Sequence, residues 1–410
     1  MGSLEGGRRR NTRILIAAIV SVLLVAALLV VAVDRLAADE RGELSVAPPP
    51  MPVAAAPAVV PVAPNAPIPS APGIAATIGP ALANPDLGEF SGVIADAITG
   101  QVLWSGAPER PMVPASTTKV LTTAAALSVL SPDSRLTTKV VQGSRPGEVV
   151  LVGGGDPTLT AKPRGEEGYY PGGAHVVDLA DQIRAAGAPV DRILVDTGLY
   201  AGPTMAQGWL PQDVDAGYIT PIEPVMLDGG RLNPLVDESP RTHAPALDAG
   251  RALAATLGVD PNAVDFGTAP PSARQVAAVQ SAPLRDRLRQ MMGHSDNVLA
   301  ETIGREIAMK MGAEPSFAGA AASVSQTLFS EGFDLAGLVL HDASGLSVDD
   351  RIAARTLDQV LVGAAGGDKP KLRPMLDYLP VAGATGSLTD RFIAGERVGA
   401  GWVRAKTGTL

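Results

Sequence analysis

The chain begins with a basic cluster and a long apolar run, and it shows the periodic patterns of folded structure only further on. The run from Ile14 to Val33 covers 20 residues, Ser21 is its one polar residue, and arginines lie just before it. As a helix it spans about 30 Å, the thickness of the hydrocarbon core of a bilayer, and it lacks the polar face of a buried amphipathic helix. Basic residues favour the cytoplasmic side. We therefore predict a cytoplasmic segment 1–13 and a transmembrane signal anchor 14–33 with the rest of the chain exported, a cleaved signal peptide being the alternative.

Residues 34–85 show no hydrophobic periodicity and are rich in Pro, Ala and Val. Prolines at this density are poorly compatible with helix interiors and with central strands. The composition predicts an extended, semi-rigid linker of polyproline type. Its role would be to hold the globular part away from the membrane, and a disordered tether without a specific role is the alternative.

Alternation and helical spacing begin near Phe90. Alternating apolar residues at 91–96 and 101–104, joined by a Gly-containing turn, predict a β-hairpin. Apolar residues then recur at helical spacing from Ser116 to Leu130. The same spacing predicts later helices at 284–292, 297–311, 318–331 and 353–364. Residues 397–407 are predicted to form a strand that runs into a turn.

The region between the helix at 116–130 and the helix at 284–292 has a different pattern of apolar and polar residues. Short β-like runs alternate there with loops rich in Pro and Gly, and helical spacing occurs at 177–186. We therefore predict an inserted, mainly-β domain at 139–282. It would divide the main domain into two parts, 86–138 and 283–410.

Composition and charge narrow the function. The chain is 46% hydrophobic but only 3% aromatic, so its core must consist mainly of small aliphatic side chains. A net charge of −9 argues against a nucleic-acid partner. The sequence has no cysteine, and its four histidines are scattered without a His-Glu-x-x-His string, so a zinc site is unsupported. The Gly-rich string Gly153 to Pro157 lacks the ending of a phosphate-binding loop. We expect neither a metal nor a cofactor.

Three short strings carry candidate chemistry, and the first is Ser116-Thr-Thr-Lys119. At positions i and i+3 of a helix, the serine and the lysine share one face. A serine hydroxyl becomes a nucleophile when a base takes its proton, and a lysine serves as that base if burial or a nearby cation lowers its pKa. For this string alone, a serine that only caps the helix is the alternative.

The second string is Ser295-Asp-Asn297, at a predicted junction between a loop and a helix. Ser295 would pass protons between Lys119 and a leaving group, and Asn297 would hold both the lysine and a substrate amide. A turn followed by a helix cap, which Ser, Asp and Asn all favour, is the alternative.

The third string is Lys406-Thr-Gly408, followed by Thr409. Lys406 and Thr407 offer donors to a substrate carboxylate, and Gly408 would let the substrate approach the backbone. The N–H groups of Thr409 and Ser116 would form an oxyanion hole. An edge strand with a solvated lysine is the alternative.

In this order, the three strings resemble the set found in penicillin-binding proteins and class A β-lactamases. Two further strings, Leu151-Val-Gly-Gly-Gly-Asp-Pro157 and Asp342-Ala-Ser-Gly-Leu346, make residues 92–410 similar to the class C low-molecular-mass penicillin-binding proteins. These are D-alanyl-D-alanine carboxypeptidases and endopeptidases. The resemblance implies an α+β fold of the penicillin-recognising serine transpeptidase/β-lactamase-like type, in which an antiparallel sheet has helices on both faces, and it also implies the insert.

For function, the resemblance implies a serine D-alanyl-D-alanine carboxypeptidase, with DD-endopeptidase activity as a possible addition. It would cleave peptidoglycan stem peptides ending in D-Ala-D-Ala through an acyl-enzyme on Ser116, and β-lactam antibiotics would acylate the same serine. A catalytically weak wall-binding module is the alternative. A β-lactamase is disfavoured because Glu331-Gly-Phe-Asp-Leu335 does not match the Glu-x-x-Leu-Asn string of class A enzymes. The family continues with further strands and a closing helix, so we expect the carboxyl end of the catalytic domain to be incomplete at Leu410.

Overall fold

The computed structural model describes residues 25–31, 67–187, 189–395 and 397–410. The chain divides into two units, Met1–Val60 and Pro61–Leu410. In the first unit, residues 25–31 form helix α1. Among the described residues, no helix combines the length and the apolar character needed to cross a bilayer. Most of the predicted anchor 14–33, and the predicted linker up to residue 66, lie outside the described residues.

The second unit alternates short strands with helices. Its helices are α2 (Ala71–Leu82), α3 (Thr118–Val129), α4 (Val176–Ala185), α5 (Gln212–Asp215), α6 (Pro245–Leu257), α7 (Leu284–His294), α8 (Asn297–Lys310), α9 (Phe317–Ser330), α10 (Ala354–Ala365) and α11 (Met375–Tyr378). Its strands are β1 (Gly92–Ala95), β2 (Val102–Gly106), β3 (Pro111–Met112), β4 (Thr137–Gln142), β5 (Glu148–Val152), β6 (Asp156–Leu159), β7 (Arg192–Asp196), β8 (Val225–Leu227), β9 (Val264–Phe266), β10 (Gln275–Gln280) and β11 (Ile352–Ala353). The boundaries of each predicted helix of the globular part lie within about two residues of an observed helix.

Helix α2 lies in the segment predicted to be an extended linker, and that conformation is wrong for Ala71–Leu82. Ser70 begins the helix by accepting a hydrogen bond from the Gly73 N–H at 3.2 Å. Pro72 lies in the first turn, where its missing N–H leaves no helical hydrogen bond unmade. Pro80 lies in the last turn, and alanine, the best helix former, fills much of the rest. A proline-rich segment can therefore form a helix when its prolines fall near the helix ends.

The first core is helical. Helix α3 lies at its centre, packs against α8 and α9, and buries Ala124, Ala125 and Ala126 completely. Such small side chains let neighbouring helices approach closely. Helix α10 packs against both β1 and β11. The expected antiparallel sheet is present in the described residues as two separate pairs, β1–β2 and β3–β11.

The second core belongs to the predicted insert and is built on a mixed five-stranded sheet of order β10-β4-β5-β7-β9. The pairs from β10 to β5 are antiparallel, and those from β5 to β9 are parallel. A parallel pair needs a crossover connection, which is usually helical, and α4 and α6 supply the two crossovers. The region predicted to be mainly β therefore contains two substantial helices as well.

The two cores divide near the predicted domain boundaries. The first draws on residues 120–127 and 284–379 together with Tyr170 from the insert, and the second on residues 140–277. A third cluster joins Trp209 of the insert to Val298 and Phe317 of the helical core. The exact boundaries 139–282 stay a prediction, but the insert packs directly against the helices that carry the candidate site.

The prediction of a strand at 397–407 is wrong. Turns occupy residues 398–402, with the Trp402 N–H bonded to the Gly399 carbonyl at 3.1 Å, and Gly401 has a positive φ of 76°. One isolated antiparallel bridge, between Val381 and Arg404, is the β-type pairing found for it among the described residues. Closely spaced glycines favour turns over an extended strand, so Lys406 is held by this bridge and by its own contacts.

Candidate active site

Ser116 lies in a short 3-10 turn, Ala115–Thr117, that leads into α3. Ala115, directly before it, has a positive φ of 47°, which costs a non-glycine residue about 1–2 kcal/mol. Gly345 packs so closely that a Cβ atom there would lie 1.9 Å from the Ala115 carbonyl oxygen. The neighbouring segment thus holds the backbone directly before the serine in a strained conformation, as is common at functional sites.

Lys119 lies one helical turn further on and is completely buried. Its Nζ atom donates to Ser116 Oγ at 2.9 Å, to Asn297 Oδ1 at 2.6 Å and to the Ser344 carbonyl oxygen at 2.9 Å. Three acceptors satisfy the three donors of an ammonium group. The i, i+3 spacing read from the sequence therefore brings the serine and the lysine into hydrogen-bond contact.

The surroundings of Lys119 lower its pKa to about 8. Burial is the main cause because it disfavours the charged form, and the carboxylates of Asp342, Asp296 and Glu301 oppose it. A group with a pKa near 8 can lose and regain a proton close to neutral pH, which is what a general base requires.

Ser295 and Asn297 flank the junction between α7 and α8. Ser295 ends α7 in the left-handed conformation, with φ of 60°, and Asp296 caps α8 by accepting from the Leu299 N–H at 2.8 Å. Asn297 begins α8, and its amide Nδ2 donates to the Tyr218 carbonyl at 3.0 Å. That bond orients the amide so that its oxygen faces Lys119.

Lys406 reaches the same place from the carboxyl segment. Its Nζ atom donates to Ser295 Oγ at 2.8 Å and to the Thr407 carbonyl at 2.7 Å. Burial lowers its pKa to about 6, with a further contribution from the charge of Lys119. Gly408 lies so close to the nucleophile's loop that a Cβ atom would be 2.9 Å from the Pro114 carbonyl oxygen.

These groups surround an open cleft of about 530 Å3. Of the predicted residues, those that line it are Ser116, Ser295, Asn297, Thr407 and Thr409. The two lysines contact the cleft through the serine hydroxyls to which they donate. A nucleophile, two titratable amines and an amide thus meet in a space large enough for a small peptide or drug-sized molecule.

The sequence reasoning missed several contributors. Lys119 and Asn297 are held by the backbone carbonyls of Ser344 and Tyr218, and every residue has such a carbonyl, so residue type gave no signal. Ser387 also lines the cleft, with its Oγ 3.1 Å from Thr407 Oγ1. In the described part of the chain, no group of three or more His, Cys, Asp or Glu is arranged to bind a metal ion.

Comparisons with known proteins identify the family of the chain. The family model for D-Ala-D-Ala carboxypeptidase 3 (S13) matches residues 74–242 and 236–410. The chain is 51% identical to carboxypeptidase DacB of Mycolicibacterium smegmatis, covering 98% of this chain and 88% of that protein. It is also 51% identical to a carboxypeptidase of Mycobacterium tuberculosis, covering 89% and 80% of the two chains.

A crystal structure of penicillin-binding protein 4 (DacB) from Haemophilus influenzae matches with a TM-score of 0.63 at 22% identity, covering 78% of this chain and 84% of that one. The same protein in complex with a β-lactam matches with a TM-score of 0.57 at 23% identity, covering 79% and 84%. These matches confirm the penicillin-recognising α+β fold class, and the family match confirms the expected class of serine carboxypeptidase. The chain belongs to the D-Ala-D-Ala carboxypeptidase 3 (S13) family.

Proposed function

We propose that this carboxypeptidase removes the terminal D-Ala from peptidoglycan stem peptides ending in D-Ala-D-Ala, through an acyl-enzyme on Ser116. One contact carries the proposal: the buried Lys119 amine lies 2.9 Å from Ser116 Oγ, and its pKa is lowered to about 8. A serine with an amine of this kind in hydrogen-bond reach has the base that it needs to attack a carbonyl.

The chemistry follows from the positions of the groups. Ser116 Oγ attacks the carbonyl carbon of the penultimate D-Ala while Lys119 takes its proton. The N–H groups of Ser116 and Thr409 stabilise the oxyanion. When the tetrahedral intermediate collapses, the C–N bond breaks and the leaving D-Ala amine takes a proton relayed through Ser295. Water then gives a proton to Lys119 and attacks the acyl carbon, the ester bond to Ser116 Oγ breaks, Oγ takes the proton back from Lys119, and the shortened peptide leaves with a free carboxyl group.

The two lysines divide the remaining work. In the substrate-free protein the pKa of Lys406 is about 6, so it is mostly neutral at pH 7. A substrate carboxylate beside Lys406 favours its charged form. Substrate binding would therefore protonate the amine that holds the carboxylate.

The test compares the full chain with Ser116→Ala. A fluorescent penicillin should label the wild-type protein and not the variant, because a β-lactam imitates the acyl-D-Ala-D-Ala amide. Ser128→Ala is the matched control, since Ser128 lies on α3, the helix that follows Ser116, and its hydroxyl donates to the Ala124 carbonyl. Equal labelling of Ser116→Ala and wild type would disprove the role of the serine.

Mass spectrometry of a D-Ala-D-Ala pentapeptide incubated with the protein supplies the second readout. Release of free D-Ala supports the carboxypeptidase. Penicillin labelling and peptide binding without release would instead support the catalytically weak wall-binding module. Release of a cross-linked neighbour from a dimeric muropeptide would add DD-endopeptidase activity.

We also propose that residues 14–33 anchor the protein in the cell membrane with the catalytic part on the extracytoplasmic side. Support comes from the arginines before this apolar run and from its length of 20 residues. Carbonate-washed membranes should retain the protein, and protease added outside spheroplasts should degrade its globular part. Recovery of a soluble form lacking the first residues would favour a cleaved signal peptide instead.

A further inference from the structure

Asp296 lies between two residues of the candidate site, yet its side chain is buried in a cluster that the insert provides. One carboxylate oxygen, Oδ1, caps helix α8. The other, Oδ2, accepts from Arg231 Nη2 at 3.1 Å and from the Tyr170 hydroxyl at 2.8 Å. The side chains of Asp296 and Arg231 are each 1% exposed, so this is an ion pair inside the protein rather than a surface contact.

The guanidinium of Arg231 is fixed in one orientation. Its Nε donates to the Asp237 carbonyl at 3.0 Å, and Nη1 donates to the Tyr170 hydroxyl at 3.0 Å and to the Asp228 carbonyl at 3.2 Å. Its carbon atom lies 3.3 Å from the centre of the Tyr169 ring. Arginine presents its donors in a rigid fork, so a guanidinium bound on every side holds its carboxylate partner in one place.

The residues on either side of Asp296 make the contacts to the two lysines. Ser295 Oγ accepts from Lys406 at 2.8 Å, and Asn297 Oδ1 accepts from Lys119 at 2.6 Å. Ser295 has a positive φ of 60°, a conformation that a serine keeps only where its surroundings hold it. Any shift of Asp296 would therefore move both contacts.

We propose that Arg231 is a positioning residue for the reaction: through the buried Asp296 carboxylate, and together with Tyr170, it holds Ser295 and Asn297 in register with the two lysines. The insert is then part of the active site and not an accessory attached to it. This inference rests on the proposed function, and it goes beyond that function by assigning a role to Arg231 and Asp296, which line the cleft but, in the described part of the chain, make no hydrogen bond to Ser116 or to either lysine.

The test replaces Arg231 in the full chain and measures the rate of acylation by fluorescent penicillin. Arg231→Met should slow acylation about 100-fold, because small displacements of catalytic groups have effects of this size, with little change in the noncovalent affinity for the drug. Arg231→Lys keeps the positive charge without the rigid fork of donors, and its acylation rate should lie between those of Arg231→Met and wild type. An acylation rate for Arg231→Met within about twofold of wild type would overturn the proposal.

Arg287→Met is the matched control. Arg287 is also a buried arginine, pairs with Glu306 and lies near the start of α7, about 12 Å along the helix from Ser295. Its loss should lower the melting temperature at least as much as Arg231→Met does, while each folded molecule reacts with penicillin at the wild-type rate. If both variants lowered acylation equally, Arg231 would be only a structural residue.

Hydrogen exchange supplies a readout that does not depend on activity. The amides of residues 291–299 should exchange at least about tenfold faster in Arg231→Met than in Arg287→Met. If Arg231→Met does not fold, Tyr170→Phe, which removes one hydroxyl, should show the same pattern at smaller size. Unchanged exchange in 291–299 would contradict the positioning role. A wild-type protein that penicillin does not label would refute the proposed function, and the exchange result would still decide the role of Arg231.

Discussion

Lys119 and Lys406 are the two amines of the candidate active site, and the regions that hold them differ in almost every respect. Lys119 lies in a regular helix, is completely buried and has three acceptors. Lys406 lies in a segment without regular secondary structure, is half-buried, and precedes the exposed residues Gly408 and Thr409. Nevertheless the less buried lysine has the lower pKa, about 6 against about 8.

The surrounding charges explain this order. Three carboxylates near Lys119 oppose the effect of burial on its pKa. For Lys406, the charge of Lys119 adds to the effect of burial. The comparison teaches that burial lowers the pKa of both lysines, and that the sign of the neighbouring charge decides which of the two pKa values is lower.

Replacing the amine of the helical region should have the largest effect. Lys119→Met removes the proposed base at nearly constant volume, and we expect penicillin acylation to fall about 10³-fold, within the range for the loss of general-base catalysis. Lys310→Met, at an exposed position in the last turn of α8, is the control and should react like wild type. A Lys119→Met protein that is folded and acylated at a tenth of the wild-type rate or faster would mean that another group takes the proton.

Replacing the amine of the carboxyl segment should cost less and should depend on the substrate. Lys406→Ala is expected to slow D-Ala release about 100-fold, because the substrate carboxylate loses its cationic partner. With a peptide that ends in a carboxamide, the difference between variant and wild type should shrink to about tenfold. Lys371→Ala, an exposed lysine elsewhere, controls for net charge. An equal loss for both peptides would assign Lys406 to proton transfer rather than to carboxylate binding.

The difference between the two regions also shows what the sequence could predict. Ser116 and Lys119 are three residues apart in a segment with clear helical spacing, so their contact follows from local geometry. Helices such as α9 (Phe317–Ser330) were predicted within about one residue for the same reason. That Ser295 lies beside Lys406, 111 residues away, could be expected only because the strings occur together in this order.

What sequence reasoning could not supply depends on distant partners or on the backbone. The strand expected around Lys406 is absent because strands form against a partner, and local alternation does not say whether one is there. The carbonyls of Ser344 and Tyr218 leave no trace in residue type. The Arg231–Asp296 pair joins the insert to the catalytic helices across 65 residues, and a lone arginine in a loop gives no indication of its partner.

The close packing at the nucleophile gives a third way to test the rigidity of the helical region. Gly345 and Gly312 both have positive φ, 82° and 74°, but an added Cβ meets the Ala115 carbonyl at the first and nothing within 4 Å at the second. Gly312→Ala should therefore cost about 1 kcal/mol of stability from backbone strain alone, and Gly345→Ala about 2 kcal/mol more from the clash. Chemical denaturation measures both, and equal costs would show that the loop before Ser116 yields easily.

The pH dependence of acylation separates the two lysines directly. If the base is Lys119, the rate should rise about tenfold above pH 7 with a midpoint near 8, since only the neutral amine accepts the proton. Lys119→Met should lose this rise. A midpoint near 6 would instead match Lys406 and reverse the assignment of the two amines.

The smallest effect concerns Asp350, a buried carboxyl group beside Asp342, and it tests whether this group is neutral. Asp350 is completely buried, accepts from the His341 N–H at 2.7 Å through Oδ1, and has no hydrogen-bond partner for Oδ2 among the described residues. Burial and the neighbouring charge of Asp342 raise its pKa to about 9. Between pH 4 and pH 9 the folded state therefore holds a proton that the unfolded chain has lost, so this group lowers stability as the pH rises.

Asp350→Asn should remove that contribution, because the amide has the shape of the neutral carboxyl and carries no titratable proton. We expect the variant to be more stable than wild type by about 1 kcal/mol at pH 8 and to lose less stability between pH 5 and pH 8. Some dependence of stability on pH should remain in the variant, since the pKa of buried Glu301 is also raised, to about 8. Thermal melts of wild type, Asp350→Asn and the half-buried neighbour Asp349→Asn across this pH range decide the matter. A variant that is less stable at every pH would mean that Asp350 is ionised in the folded protein.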